Sequence, residues 1–316
     1  MKTRRSYISF VYLVVLLATS TWLVSCEDVI DLEVENGPQL LAVDGWITNQ
    51  PGPQRIRLTL ASGYFDNNEP QPALNAEVTI TDDLGKVFTF EDINNNGVYE
   101  WKPQQIDTLN ALTLDTLGHI GRSYTLRVKY AGEEYTATST IRPVPVIDSL
   151  VYQFESLPFT PPNGPKEGYI AEFYARDFAG VGDTYWIKAL RGGGLYADDP
   201  ENITLAFDAA FSPGSVSDGL VFILPLRRAI NVNQLFSAGD TVGVELHSIT
   251  PESYYFLQQV RQESSNGGIF ATPPANIFTN IRNRNPNGQK ALGFFGASAI
   301  SRAETIIDPA KARPEE

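Results

Sequence analysis

The sequence predicts an all-β chain, mainly strands with one clear helix, arranged as two β-sandwich-like domains. Three observations carry this. Apolar and polar residues alternate with a period of two in run after run. Gly, Asn and Asp separate the runs at short intervals. Helix-start signals come together persuasively at one place only, Thr250-Pro251-Glu252.

Taken in order, Leu40 to Ile47 forms a strand-like run, and Ile56, Leu58 and Leu60 then alternate with Arg55, Arg57 and Thr59. Val78 and Ile80 alternate, Asp82-Asp83-Leu84-Gly85 turns the chain as a hairpin loop, and Val87, Phe88 and Phe90 follow. Gly97 to Trp101 is a further short strand. Tyr124, Leu126, Val128 and Tyr130 alternate with polar or basic residues, and Ala131-Gly132 turns the chain into Glu134 to Ile141. Short strands at this spacing suggest an immunoglobulin-like β-sandwich over 39–143. Pro143-Val144-Pro145 denies ladder donors and stiffens the backbone, which places a domain boundary there; the alternative is a strand running on into a shared sheet.

The second half, 144–316, reads as a less regular β domain. Its strand candidates are Ile147 to Phe154, Tyr169 to Phe178, Tyr185 to Leu190, Leu220 to Leu226, Val242 to Ile249 and Lys290 to Ser298. Gly192-Gly193-Gly194 is a turn and lacks the Lys-Ser/Thr of a phosphate loop. Near 251–264 a helix is expected: Thr250 can cap it, Pro251 suits the first helical position, Glu252 complements the dipole, and Asn266-Gly267-Gly268 stops it. Its wide apolar coverage points to packing on a sheet. Pro309 to Glu316 reads as a frayed tail.

Upstream of the first strand lies a different kind of sequence. Lys2, Arg4 and Arg5 precede an uncharged run from Ile8 to Val24, and the run ends in Leu23-Val24-Ser25-Cys26. This is the order of a signal peptide, 1–25. The final tetrad resembles the lipobox read by the bacterial lipoprotein signal peptidase. The resemblance implies a thioether to diacylglycerol at Cys26 and cleavage before it, and a thiol is the soft nucleophile such chemistry needs. Two or more acyl chains hold a protein firmly at a membrane, where one does so only marginally. The alternative is an uncleaved anchor helix. Residues 26–38, with Glu27, Asp28, Asp31, Glu33 and Glu35, form an acidic tether. Acids just after the lipid-bearing cysteine resemble the surface-export signal of Bacteroidota lipoproteins; the inner leaflet of the outer membrane is the other location.

Composition narrows the function classes. The chain has 316 residues, 42% of them hydrophobic, and a formal charge of −13. Removing the basic leader makes it more acidic still, which argues against nucleic acid and against adsorption to anionic lipid. Cys26 is the single cysteine, so disulfides, thiol nucleophiles and cysteine-ligated metals are excluded once it carries lipid.

Several segments together resemble the lipoprotein family known as domain of unknown function 4249, common in Bacteroidota. They are Cys26-Glu27-Asp28 with Ile30-Asp31-Leu32, Val43 to Ile47, Asn75 to Val78, Gly97-Val98-Tyr99, Ser123 to Leu126, Gly239-Asp240, Tyr254-Tyr255, Ala275 to Ile281 and Leu292 to Phe295. The resemblance spans nearly the whole mature chain. It implies an envelope lipoprotein, often encoded beside a TonB-dependent outer-membrane transporter, and it brings no catalytic residues. The first domain also resembles the transthyretin-like or carboxypeptidase-regulatory-like sandwich, a scaffold rather than an activity.

Candidate sites are few. Asp92, Asn94 and Asn96, followed by Gly97, resemble the opening of a calcium loop, but Pro103 stands where the bidentate Glu is needed; the alternative is an Asn/Gly hairpin turn. His119 and His247 lack metal-ligand spacing. A Ser-His-Asp triad has no Gly-x-Ser-x-Gly elbow to support it, and paired carboxylates for glycoside hydrolysis are open only by numbers. Trp46, Trp101 and Trp186 could form a sugar-stacking platform or simply core. Asp107-Thr108-Leu109, Asp115-Thr116-Leu117, Asp148-Ser149-Leu150 and Asp240-Thr241-Val242 resemble a short O-glycosylation acceptor motif.

The expectation is therefore a non-enzymatic outer-membrane lipoprotein, lipid-anchored at Cys26 and displayed at the cell surface. It would need no cofactor and would serve as an accessory or binding component of an envelope system with a TonB-dependent β-barrel partner. A surface glycan-binding or adhesive module is the alternative, and a carbohydrate-active enzyme a third reading.

Overall fold

A computed structural model describes residues 39–62, 68–103, 105–108, 111–114, 116–162, 164–210, 213, 218–222, 230, 234–267, 272 and 275–314. The described residues belong to one compact unit. The leader, Cys26 and the acidic tether lie outside them.

Among the described residues the fold is all-β with one α-helix, as the alternation predicts. The first half holds β1 (Leu41–Thr48), β2 (Gln54–Leu60), β3 (Glu77–Asp82), β4 (Val87–Phe90), β5 (Val98–Trp101), β6 (Gln105–Thr108), β7 (Ala111–Leu114), β8 (Ser123–Tyr130) and β9 (Glu133–Thr140). The second holds β10 (Ile147–Ser156), β11 (Glu167–Ala175), β12 (Thr184–Arg191), β13 (Gly194–Tyr196), β14 (Thr204–Phe207), β15 (Thr241–Ile249), α1 (Pro251–Ser264), β16 (Arg282–Asn283) and β17 (Ala291–Ile306).

Each expected turn has its physical cause in place. Asp82 Oδ1 accepts the amides of Leu84 and Lys86 across the β3–β4 hairpin. Ala131 and Gly132, at φ 50° and 83°, take the left-handed pair that a tight hairpin between β8 and β9 demands. Helix α1 begins where its cap predicts: Thr250 Oγ1 accepts the Ser253 amide at 3.2 Å, and Pro251 occupies the first turn.

Three hydrophobic clusters form among the described residues, the smallest of them Leu205, Ile249, Tyr254 and Leu257 beneath α1. In the first, the five-stranded sheet β16-β9-β8-β3-β4 faces β1, β2, β5 and the start of β17. Ile80, Tyr124 and Leu126 meet Ile47, Ile56, Leu58 and Phe295 there. In the second, the β10–β11 pair covers β12 and β15, burying Tyr152 and Phe173 against Tyr185, Val244 and Leu246. These two larger cores divide near 143–146, with Val144 packed against both.

The backbone does not divide there. An eight-stranded sheet ordered β13-β12-β15-β17-β1-β2-β5, with β14 also on β12, draws on both halves. Strand β17 joins them. Its residues 291–298 pair in parallel with β1, and its residues 299–306 pair antiparallel with β15. Two half-sheets thus meet end to end on one long strand.

Three expectations are corrected. Strand β17 runs on past Ser298 to Ile306, because Arg302 and Glu304 face outward while Ala299 and Ala303 pack inward. The hairpin β6–β7 was not expected. The segment 309–314 is not a frayed tail: a 3-10 turn spans Pro309–Lys311, capped by Asp308 Oδ1 on the Ala310 amide, and the Arg313 amide donates to the Tyr152 carbonyl. Of the expected strand Leu220 to Leu226, residues 223–226 lie outside the described residues.

Candidate functional site

The period of two decides what β1 offers. Leu41, Val43, Gly45 and Ile47 point into the first core, which leaves Ala42, Asp44 and Trp46 on the opposite face. In the neighbouring strand Arg57 and Thr59 share that outer face, and Arg57 stands directly across from Asp44. On the other side Phe294 is the register partner of Asp44 in β17. From the second half-sheet, Trp186 of β12 reaches the same face, and α1 brings Phe256, Leu257 and Val260 over it. These residues wall a cleft of about 500 Å³ at the joint between the half-sheets, with Pro200 and Ile203 also in its lining. That volume falls within the usual span of small-ligand sites, about 300–1,000 Å³.

Aromatic rings form its floor. Trp46 and Trp186 meet edge to face at 5.2 Å, and Phe294 lies beside Trp46 at 6.0 Å. Phe256 stacks on Phe294 at 4.5 Å, which fixes the helix to the sheet. Gly296 lets Trp46 lie flat on the backbone of β17, since any Cβ there would fall within 2.7 Å of the indole. Arg261 Nη1 donates to the Ile203 carbonyl and ties α1 to this part of the lining.

Charge is placed at the rim. The Asp44 carboxylate and the Arg57 guanidinium are both open to water, and neither makes a hydrogen bond or ion pair within the described residues. Protein crowding around Asp44 pushes its carboxyl above the ordinary value, against the pull of Arg57 and Lys188. Lys188 Nζ lies 3.7 Å over the Trp186 ring, with Asp198 3.9 Å away. Burial lowers the Lys188 pKa, opposed by Asp198, Glu245 and Asp44.

Beneath Trp186 a polar line crosses the sheet. His247 Nδ1 is 3.3 Å from Ser298 Oγ, and His247 Nε2 is 3.1 Å from Glu245 Oε2. Serine, histidine and carboxylate thus fall in line, as in a triad. Ser298, however, is only 1% exposed, and none of the three lines the cleft. A nucleophile must reach its substrate, and this one is sealed within the sheet. The line satisfies buried polar groups. Burial lowers the His247 pKa, and the bond to Glu245 opposes the shift.

The remaining expected residues fall elsewhere. Trp101 packs edge-on against Phe88 at 5.6 Å beside the first core and takes no part in the cleft. In the Asp92 loop, the carboxylate accepts the amides of Asn96 and Gly97, and Asn96 Oδ1 accepts the Val98 amide. Asn95 and Gly97 take φ values of 51° and 78°. This is an Asx-type turn between β4 and β5. His119 sits exposed in the loop before β8, on a different element from His247. Asp240 holds a turn by accepting from Arg191 and from the Ser237 amide, while Asp148 and Ser149 are exposed on β10. Side chains of 104–115 lie outside the described residues.

With the site in view, comparison with known families becomes informative. The family model described as Domain of unknown function (DUF4249) matches residues 27–304. The chain belongs to this family. The matched span runs from the tether almost to the end of β17 and contains every residue of the cleft. No curated protein and no solved structure matches the chain.

Sequence reasoning singled out Trp46 and Trp186 but not their partners. In the sequence Phe294 falls in the strand Lys290 to Ser298 and Phe256 in the helix near 251–264. Asp44 is there one residue of a strand-like run and Arg57 the polar half of an alternation. A usable signal did exist: two neighbouring strands each carry a charged residue at the centre of the outward face, beside an outward tryptophan.

Proposed function

We propose that the chain is an envelope lipoprotein, anchored through diacylglycerol on Cys26 to the outer membrane and displayed at the cell surface. It acts without catalysis, as the ligand-binding accessory of a TonB-dependent β-barrel transporter. One observation carries the binding part: an open aromatic cleft with Asp44 and Arg57 side by side at its rim, neither of them paired among the described residues. Binding sites of this kind combine apolar walls with a few convergent polar groups. The sealed Ser298–His247–Glu245 line supports a non-catalytic reading. The tether supports the accessory role, because the chain between Cys26 and Leu41 spans at most roughly 50 Å when fully extended. A cleft that starts on β1 would stay within that reach of a membrane-embedded partner.

The test is a pulldown of the lipidated protein from outer membranes solubilised in mild detergent. A β-barrel transporter should be recovered, and recovery of none overturns the accessory role. A second reading, a surface glycan-binding module, is favoured by Trp46 and Trp186 being half-buried and joined in one cleft. Retention of the protein on immobilised envelope polysaccharide, lost in Trp186→Ala, would support it.

A further inference from the structure

We propose that the cleft takes a zwitterionic apolar amino acid or dipeptide, its ammonium on Asp44, its carboxylate on Arg57 and its apolar side chain among the rings of the floor. The inference deepens the binding reading above and rests on it.

The charge arrangement comes first. Asp44 and Arg57 are register partners on adjacent strands and point to the same face. Side chains so placed start about 4.5–5.5 Å apart at their Cβ atoms, the scale on which a small zwitterion separates its two ends. Neither head group makes a hydrogen bond or ion pair among the described residues. Asp198 also lines the cleft, and Lys188, just outside the lining, sets an opposite charge 3.9 Å from it. The site as a whole is balanced, within a chain of formal charge −13. A balanced site disfavours ligands of one sign. Paired opposite charges are best met by a ligand that also carries both, through charge-assisted hydrogen bonds at each end.

The rings supply the second argument, and it separates a zwitterion from a sugar. Sugar stacking needs an open aromatic face. Here the faces already have neighbours: the Trp46 indole lies on Gly296, Lys188 covers Trp186, and Phe256 covers Phe294. The floor therefore offers mainly ring edges, with methylene groups between them. An apolar side chain fills such a lining without needing a free face, and its burial is favourable in proportion to the apolar area removed from water.

The experiment is titration of the full chain with Leu-Phe and with free phenylalanine, followed by the fluorescence of the cleft tryptophans and by calorimetry. Each ligand is repeated with its amino end acetylated and with its carboxyl end amidated. Blocking either end should weaken binding at least about tenfold, the cost of leaving a charged partner unmet. In Asp44→Asn, acetylation should no longer matter while amidation still does. In Arg57→Gln the pattern should reverse. Both positions are exposed, and unchanged melting of each variant confirms that it is folded. Equal binding of free and blocked forms overturns the proposal. So does failure of both zwitterions to saturate in the millimolar range. Saturation by cellobiose with none by the zwitterions also overturns it, yet leaves the binding reading standing, while the pulldown tests the transporter role separately.

Discussion

Replacing Gly296 by alanine should damage the fold and the cleft together, by an amount the geometry bounds. The backbone there is not left-handed, so the substitution meets no intrinsic strain. What it meets is Trp46. The new methyl would lie 2.7 Å from Cη2 and closer still to Cε3 and Cζ3. Carbon atoms settle at about 3.5–4.0 Å, so the indole must retreat by roughly 1 Å or more. Retreat is obstructed by Trp186 at 5.2 Å and Phe294 at 6.0 Å. Overpacking of this kind costs about 1–3 kcal/mol. For a chain of this size each kcal/mol moves the melting temperature by roughly 2–4 °C, so a drop of about 2–12 °C is expected. Thermal unfolding followed by tryptophan emission reads both effects, because the native spectrum should also shift as Trp46 moves. Gly194→Ala is the control, since a methyl there meets nothing within 4 Å. The double variant Gly296→Ala, Trp46→Phe should recover part of the loss, as coupled neighbours do. An unchanged melt and an unchanged spectrum in Gly296→Ala would refute the contact on which the floor of the cleft depends.

Further outcomes follow from other contacts. Cys26→Ser should abolish incorporation of a clickable palmitate analogue and release the protein from the membrane fraction; equal labelling of parent and variant would remove the anchor. Thr250→Ala deletes the cap on the Ser253 amide and should destabilise by about 1 kcal/mol in chemical denaturation; no loss would mean the cap is not energetically used. Burial holds the His247 pKa below its ordinary 6.5, so below that pH the unfolded chain binds a proton that the native chain does not. Stability from this group is then fully present above about 6.5 and falls as pH drops towards the native value. Denaturation at pH 7.5 and 5.5 should show this fall in the parent and a smaller one in His247→Gln, and equal falls would assign it to other groups.

Local signals in this chain were readable where a single residue type has a single physical role. Thr250 with Pro251 marks the start of α1 because a hydroxyl must meet the Ser253 amide and proline costs nothing there. Ala131-Gly132 marks a hairpin because two left-handed residues are needed in succession. The non-local features were not readable. Nothing in Leu41–Thr48 or Ala291–Ile306 states that they lie side by side in parallel across most of the chain. The end of β17 was missed for a related reason: Ser301, Arg302 and Glu304 look like a polar exit from a strand. Arg302 and Glu304 are its outward face, held by Arg302 bridging Glu245 and Glu304, while Ser301 turns the other way and accepts the Ile147 amide. Of the cleft, the tryptophans were legible as large aromatics on strands. That Trp46 and Trp186 meet while Trp101 packs elsewhere depends on the joint between the half-sheets, which no local pattern encodes.

The same joint explains why Gly293-Phe294-Phe295-Gly296 is built as it is. Phe295 faces the first core and is fully buried, while Phe294 faces α1 and the cleft. Two large rings on opposite faces of one strand hold it between both layers. The flanking glycines then let neighbours approach as the rings require. Gly293, at φ +85°, has the Val43 backbone where a side chain would be, with its carbonyl carbon 2.7 Å from an added Cβ. Gly296 makes the matching space for Trp46 on the other face. A side chain at either glycine would push β1 away from β17, and with it Asp44 and Trp46 away from Phe294. The contact that joins the two halves of the protein is therefore the contact that forms the site. A ligand seated in the cleft would bind only the joined state and so stabilise the joint by mass action. The rigidity of the long shared strand, rather than a mobile loop, sets the spacing between the charged rim and the aromatic floor.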